Sequence, residues 1–212
     1  MARQSKPRPK PRAKRIPVRA EIDGSELCLQ CGLCCDGTLF TDAVLQDGEQ
    51  DFTESLGMVV ETKPDGTRGN AELPCPLFLD GCCSVYTSPR PHICGAYRCE
   101  LLNAYAAGAK TMEEVLPVVH LVRSLVRELE VEMGLPSGAY TRRKLQQYLF
   151  EMAPRAVTAD TITAAPEYVH FLVAYSRMGL LGVKYFNYQP VDAEKLAEAA
   201  GRELARRAEG GG

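Results

Sequence analysis

The sequence lacks the features that would place it in a membrane or in a nucleotide-binding class. No apolar run approaches the roughly 20 residues that cross a bilayer. The basic N-terminus is not followed by the apolar segment of a signal peptide, since Pro7, Pro9, Pro11 and Pro17 interrupt it. Neither a G-x-G-x-x-G nor a G-x-x-x-x-G-K-S/T loop is present, which argues against nucleotide-dependent chemistry. We therefore expect a cytoplasmic protein without a membrane partner.

Histidine is also scarce, with 3 residues in a chain of 212, and none lies near the first cysteines. A catalytic cysteine needs a base and a group that orients the base, so a cysteine hydrolase is disfavoured. His92 precedes Cys94 by two residues and could replace a thiolate ligand, but a turn residue after Pro91 is the favoured interpretation. We predict no catalytic and no organic-cofactor-binding residue, and we leave the enzyme class open.

Cysteine, by contrast, is abundant. Four thiols fall within Cys28–Cys35 and five more follow by Cys99. Disulfides are rare in a reducing cytosol, and an odd number cannot all be paired, so metal binding is the favoured use of these thiols. The C-x-x-C-x-x-C spacing suits three ligands of an iron–sulfur cluster, and it also contains the C-x-x-C knuckle of tetrahedral zinc.

The adjacent pair Cys34 and Cys35 complicates a single metal centre. Neighbouring side chains in extended backbone point to opposite faces, so the pair would serve two centres, or one centre and a partner. Two metal ions that share eight thiolates are therefore an alternative to one cluster. The spacing leaves both arrangements open.

Charge is strongly segregated along the chain. Residues 1–19 carry eight Lys or Arg and no acid, and the remaining 17 basic and 27 acidic residues leave a net charge near −10. Alternating proline and cations predict a disordered, basic tail over residues 1–20. The tail could bind nucleic acid or an acidic partner, but a solubilising extension is favoured because no aromatic side chain interleaves the charges.

The predicted fold class is α+β, mainly α. Residues 21–100 form an irregular, metal-stapled, cysteine-rich region with one small hairpin, Gly57–Lys63 and Arg68–Leu73, around the turn at residues 64–66. Residues 101–208 form a small helical bundle that packs on this region. Thr111 and Glu114 form a capping box before the longest apolar repeat, Pro117 predicts a kink or a later start, and Gly134 predicts the end. Further helices are expected over 101–109, 139–152, 166–178 and 192–208, with 180–188 ambiguous.

Four segments together resemble a known family. They are Cys28-x-x-Cys31-Gly32-x-Cys34-Cys35, Cys75-Pro-x-Phe-Leu, Cys83-Ser-Val-Tyr and Arg90-Pro91-x-x-Cys94. This order resembles the CxxCxxCC family of zinc- or iron-chelating, YkgJ-type cysteine-cluster proteins over roughly residues 25–100. The resemblance implies metal chelation in a cytosolic, mostly bacterial family without a settled catalytic activity. It places a ligand at Cys83, whereas the neighbouring Cys82 is additional to the pattern.

The expected function is a cytosolic metal-binding protein that chelates zinc or iron, with a 4Fe–4S cluster as one form of the latter. One alternative is an iron–sulfur enzyme with a redox or protein-modifying activity. The other is a zinc module that associates with nucleic acid through the basic tail. The predicted metal ligands are Cys28, Cys31, Cys34, Cys35, Cys75, Cys83, Cys94 and Cys99.

Overall fold

The described structure comprises residues 24–156 and 167–188 of a computed structural model. Seven helices and five strands occur within these ranges. The helices are α1 Ser25–Cys31, α2 Gln50–Ser55, α3 His92–Ala96, α4 Glu100–Ala106, α5 Met112–Glu132, α6 Arg142–Ala156 and α7 Glu167–Phe186. The strands are β1 Asp42–Ala43, β2 Val60–Thr62, β3 Arg68–Glu72, β4 Phe78–Leu79 and β5 Cys82–Cys83. The predicted basic tail and the predicted helix over 192–208 lie outside the described residues.

The predicted hairpin is present. Strands β2 and β3 pair antiparallel, with Val60 opposite Ala71, and β1 joins the other side of β3. Strands β4 and β5 form a second, two-stranded antiparallel sheet. Together with the helices, these small sheets confirm the α+β class. Helix α2 was not predicted, because its six residues Gln-Asp-Phe-Thr-Glu-Ser have no apolar period.

Helix α5 begins as the sequence predicts. The backbone N–H of Thr111 donates to the Glu114 carboxylate over 2.8 Å, and Gly134 has a φ of 65° just beyond the helix. Pro117 lies inside the helix, which already begins at Met112, so the expectation of a later start is wrong. Pro117 is the sixth residue of the helix, and intrahelical bonding already begins with the bond from Val115 to Thr111, so the proline removes the bond that the carbonyl of Glu113 would otherwise accept.

Other helix boundaries differ from the predicted ones. Helix α6 begins and ends a few residues later than residues 139–152, and α7 continues to Phe186. The ambiguous segment 180–188 is thus mostly helical. Its glycine, Gly182, obscured the helical pattern, but glycine is needed there because the Tyr188 ring packs where a Cβ would lie. No described helix is long and apolar enough to cross a bilayer.

One hydrophobic core joins the cysteine-rich region to the helices. Leu27, Leu33 and Leu39 are buried in the same cluster as Val119 and Leu125 of α5. Helices α5 and α7 pack against each other, and α1 contacts both α4 and α5. The segment that carries the first four cysteines therefore lies directly on the helical part of the molecule.

Candidate metal centre

A single cavity of about 370 Å³ collects the predicted ligands. All eight of the predicted cysteines line it, together with a mainly apolar wall that includes Leu73, Phe78 and Phe186. Cys82 does not line the cavity and is exposed to solvent. All nine cysteines are free thiols. The structure thus brings together eight thiols from segments up to 71 residues apart in the chain, Cys28 to Cys99.

Helix α1 presents the first two cysteines. Cys28 and Cys31 are three residues apart and so lie on the same face of the helix. Gly32 ends the helix with a φ of 62°, a conformation that costs other residues free energy. A Cβ at Gly32 would also overlap the Phe78 ring. Glycine is therefore required between Cys31 and the pair that follows.

Four of the eight thiols lie on the side of the cavity next to the hydrophobic core. Cys99 is the N-cap of α4, and its sulfur accepts a hydrogen bond from the backbone N–H of Leu102 over 3.4 Å. It packs against the core together with Cys28, Cys31 and Cys34, whereas the other four cysteines do not. We call Cys28, Cys31, Cys34 and Cys99 the inner set.

The other four thiols come from short elements outside the core. The backbone N–H of Cys75 donates to the carbonyl oxygen of Cys35 over 2.8 Å, and the N–H of Phe78 donates to the carbonyl of Cys75 over 3.1 Å. Phe78 is in turn paired with Cys83 across the second sheet. Cys94 lies on α3. We call Cys35, Cys75, Cys83 and Cys94 the outer set.

Electrostatic interactions follow the same division. Burial raises the pKa of Cys31 to about 12, and the thiols of Cys99 and Cys28 contribute. Burial also raises the pKa of Cys35 to about 12, with further contributions from the outer-set thiols of Cys75, Cys83 and Cys94.

The two sets meet at Cys34 and Cys35. Burial raises the pKa of Cys34 well above its ordinary value, and the other inner thiols and Cys35 add to the effect. A buried group of mutually repelling thiolates is unfavourable, so the free thiols are held protonated. Their deprotonation needs a compensating positive charge.

Arginine side chains supply part of that charge. Arg90 lies over the Tyr86 ring at 4.0 Å, and its charge lowers the pKa values of Cys28 and Cys94 against the larger effect of burial. Arg123 of α5 donates to the carbonyl oxygen of Cys31 over 2.6 Å and lies 3.8 Å from Asp36. The sequence drew attention to Arg90 through its neighbouring cysteines, but Arg123 lies 92 residues from Cys31 and carried no local signal.

The thiols surround a shared space without converging on one point. Among the described residues, no group of three or more His, Cys, Asp or Glu side chains is arranged to hold a metal ion. The metal-stapled part of the predicted fold is therefore not confirmed. The donor chemistry nevertheless suits zinc or iron. Eight cysteines line the cavity, and among the described residues Asp42 is the one carboxylate that lines it with them. His92 is exposed, does not line the cavity, and donates its backbone N–H to Glu49.

Comparisons with protein-family models, with curated proteins and with solved structures found no match to this chain.

Proposed function

We propose that this protein chelates zinc or iron through Cys28, Cys31, Cys34, Cys35, Cys75, Cys83, Cys94 and Cys99. The supporting observation is that these eight cysteines, and not Cys82, line one cavity. Thiolate is a common protein ligand of zinc and the usual ligand of iron–sulfur clusters. The proposal includes the resemblance to the CxxCxxCC family. It also includes a reducing, cytoplasmic location, in which the nine thiols are not oxidised to disulfides.

Metal binding would relieve the electrostatic cost of the site. Thiols must lose their protons to become ligands, and their raised pKa values oppose this loss in the absence of a cation. A bound divalent cation would neutralise part of the thiolate charge, and Arg90 and Arg123 would offset a further part. The short elements that carry the outer set lack long ladders of backbone hydrogen bonds. Metal–thiolate bonds would order these elements instead.

The experiment is anaerobic purification followed by metal analysis and a visible absorption spectrum. Iron with sulfide, or zinc without colour, is expected in the wild-type chain and in Cys82→Ser, which serves as the matched control. Cys31→Ser should lose metal. A reduced chain that takes up neither zinc nor iron on reconstitution would refute the proposal.

An iron–sulfur enzyme is a second candidate. The cavity volume of about 370 Å³ lies within the range of small-molecule sites, roughly 300–1,000 Å³, and its wall is mainly apolar. Space of this size beside thiol ligands would admit a substrate next to a cluster. A spectrum of an iron–sulfur protein that changes on addition of a redox partner would favour this candidate, whereas colourless zinc protein would exclude it.

A further inference from the structure

The arrangement of the eight thiols bears on how many metal ions the cavity holds. Cys28, Cys31, Cys34 and Cys99 pack against the hydrophobic core, and the remaining four cavity cysteines do not. The backbone bond from Cys75 to Cys35 and the pairing of Phe78 with Cys83 join three of those four, and the fourth, Cys94 of α3, lines the same cavity. Packing against the core thus divides eight thiols into two groups of four, the number that closes a tetrahedral zinc site.

The cavity also has room for more than one ion. Its volume of about 370 Å³ compares with roughly 30 Å³ for one water molecule. The two sets adjoin at Cys34 and Cys35, which are consecutive residues of a turn, and of these two only Cys34 packs against the core. One chain segment can therefore supply a ligand to each of two neighbouring positions.

The two sets differ in their packing against the core and, at Cys94, in exposure to solvent. The inner thiols lie against buried leucines, and Cys34 is held among them. In the outer set, Cys94 is exposed, and Cys83 belongs to a two-residue strand beside the exposed Cys82. A competing ligand from solvent therefore reaches the outer set at Cys94 without displacing core side chains.

We propose that the cavity forms two tetrathiolate centres for divalent metal ions, a retained inner centre at Cys28, Cys31, Cys34 and Cys99 and an exchangeable outer centre at Cys35, Cys75, Cys83 and Cys94. This inference rests on the proposed function. Since the thiols do not converge as they stand, filling each centre draws four side chains together. Two tetrathiolate centres with divalent ions carry a charge of about −4, and Arg90, which interacts with one thiol of each set, lies where it offsets both.

The test is an anaerobic titration of the reduced, metal-free full chain with Co²⁺, followed by its thiolate charge-transfer and tetrahedral d–d absorption. We expect two cobalt ions per chain in the wild type and in Cys82→Ser. Cys99→Ser should lose the inner centre and Cys75→Ser the outer one, each variant keeping one tetrahedral ion. Circular dichroism should show that both variants keep their helices.

A chelator then distinguishes the two centres. In the wild type one equivalent of cobalt should leave at least tenfold faster than the other. The fast phase should persist in Cys99→Ser and disappear in Cys75→Ser. A single bound ion, equal release rates, or loss of all metal in both variants would overturn the two-centre proposal, as would an iron cluster abolished by either substitution. Each of these outcomes would overturn the two centres but would still be compatible with metal chelation. Failure of the chain to bind cobalt, zinc or iron at all would refute the proposed function itself.

Discussion

The backbone N–H of Cys75 donates to the carbonyl oxygen of Cys35 over 2.8 Å. This bond joins the end of the β2–β3 hairpin to the first cysteine run, across 40 residues of chain. It places the fifth cysteine beside the fourth. The hairpin therefore acts as the connection that brings the later cysteines to the earlier ones.

Replacement of Cys82 and of Cys83 should have different effects. Cys83 lines the cavity and is paired with Phe78, whereas Cys82 is exposed and lies outside the cavity. We expect Cys82→Ser to keep its metal content and melting temperature, and Cys83→Ser to lose part of its metal. Metal analysis and thermal unfolding measure both. Equal losses would mean that both thiols are ligands.

Replacement of Gly32 should destabilise the site. Gly32→Ala places a Cβ in a left-handed conformation, which costs about 1–2 kcal/mol, and the same Cβ would overlap the Phe78 ring. Gly66→Ala is the matched control, because Gly66 has a φ of 81° but nothing within 4 Å of an added Cβ. Urea unfolding of the reduced protein measures the difference. If the two variants lost equal stability, the close packing of Gly32 against Phe78 would make no measurable contribution to the difference.

The metal-free protein should lose stability at alkaline pH. Burial raises the pKa of Cys31 and of Cys35 from 9.0 to about 12, so the folded state holds these protons more tightly than the unfolded chain does. Their contribution is full below pH 9 and falls as the pH rises toward 12. Between about pH 7.5 and about pH 10 the free energy of unfolding should drop by on the order of 1 kcal/mol for each of these thiols.

Urea unfolding of the reduced, metal-free chain at the two pH values measures this drop. Cys35→Ala should show a smaller drop than the wild type, while Cys82→Ser should match the wild type. A pH-independent free energy of unfolding over this range would contradict the protonated, buried state of the inner and outer thiols.

Arg123 should couple helix α5 to the cysteine run. Its guanidinium donates to the Cys31 carbonyl over 2.6 Å and lies 3.8 Å from the carboxylate of Asp36. Arg123→Met removes the guanidinium, so the half-buried Cys31 carbonyl and Asp36 carboxylate lose their contacts with it. The substitution should cost about 1–3 kcal/mol of folding free energy. The control is Arg127→Met, an exposed position one turn further along α5. Equal unfolding midpoints for the two variants would show that the Arg123 contacts do not stabilise the fold.

The basic N-terminus should be dispensable for the metal site. Residues 1–19 carry eight cations and no acid, while the rest of the chain is acidic. Their deletion should leave metal stoichiometry and melting temperature unchanged and should remove any salt-sensitive binding to polyanions. Metal analysis, thermal unfolding and binding to a polyanion at two salt concentrations test this. A fall in metal content on deletion would show that the tail packs on the cysteines.

Local spacing alone was sufficient for several features. The capping box at Thr111 and Glu114 and the hairpin around residues 64–66 each depend on neighbouring residues, and each is present. The common face of Cys28 and Cys31, by contrast, depends on helix α1, which was not predicted. The motif pattern likewise separated Cys82 from the eight cysteines that line the cavity.

Tertiary structure decided how those eight thiols are grouped. Cys99 joins Cys31 because α4 packs on α1, and Cys75 joins Cys35 because a hairpin returns the chain to that point. Arg123 reaches the site only through the packing of α5. Such contacts arise from burial of apolar faces that lie far apart in the sequence, and short-range spacing does not encode them. The sequence therefore determined which residues are candidate ligands, and the fold decided which of them are neighbours.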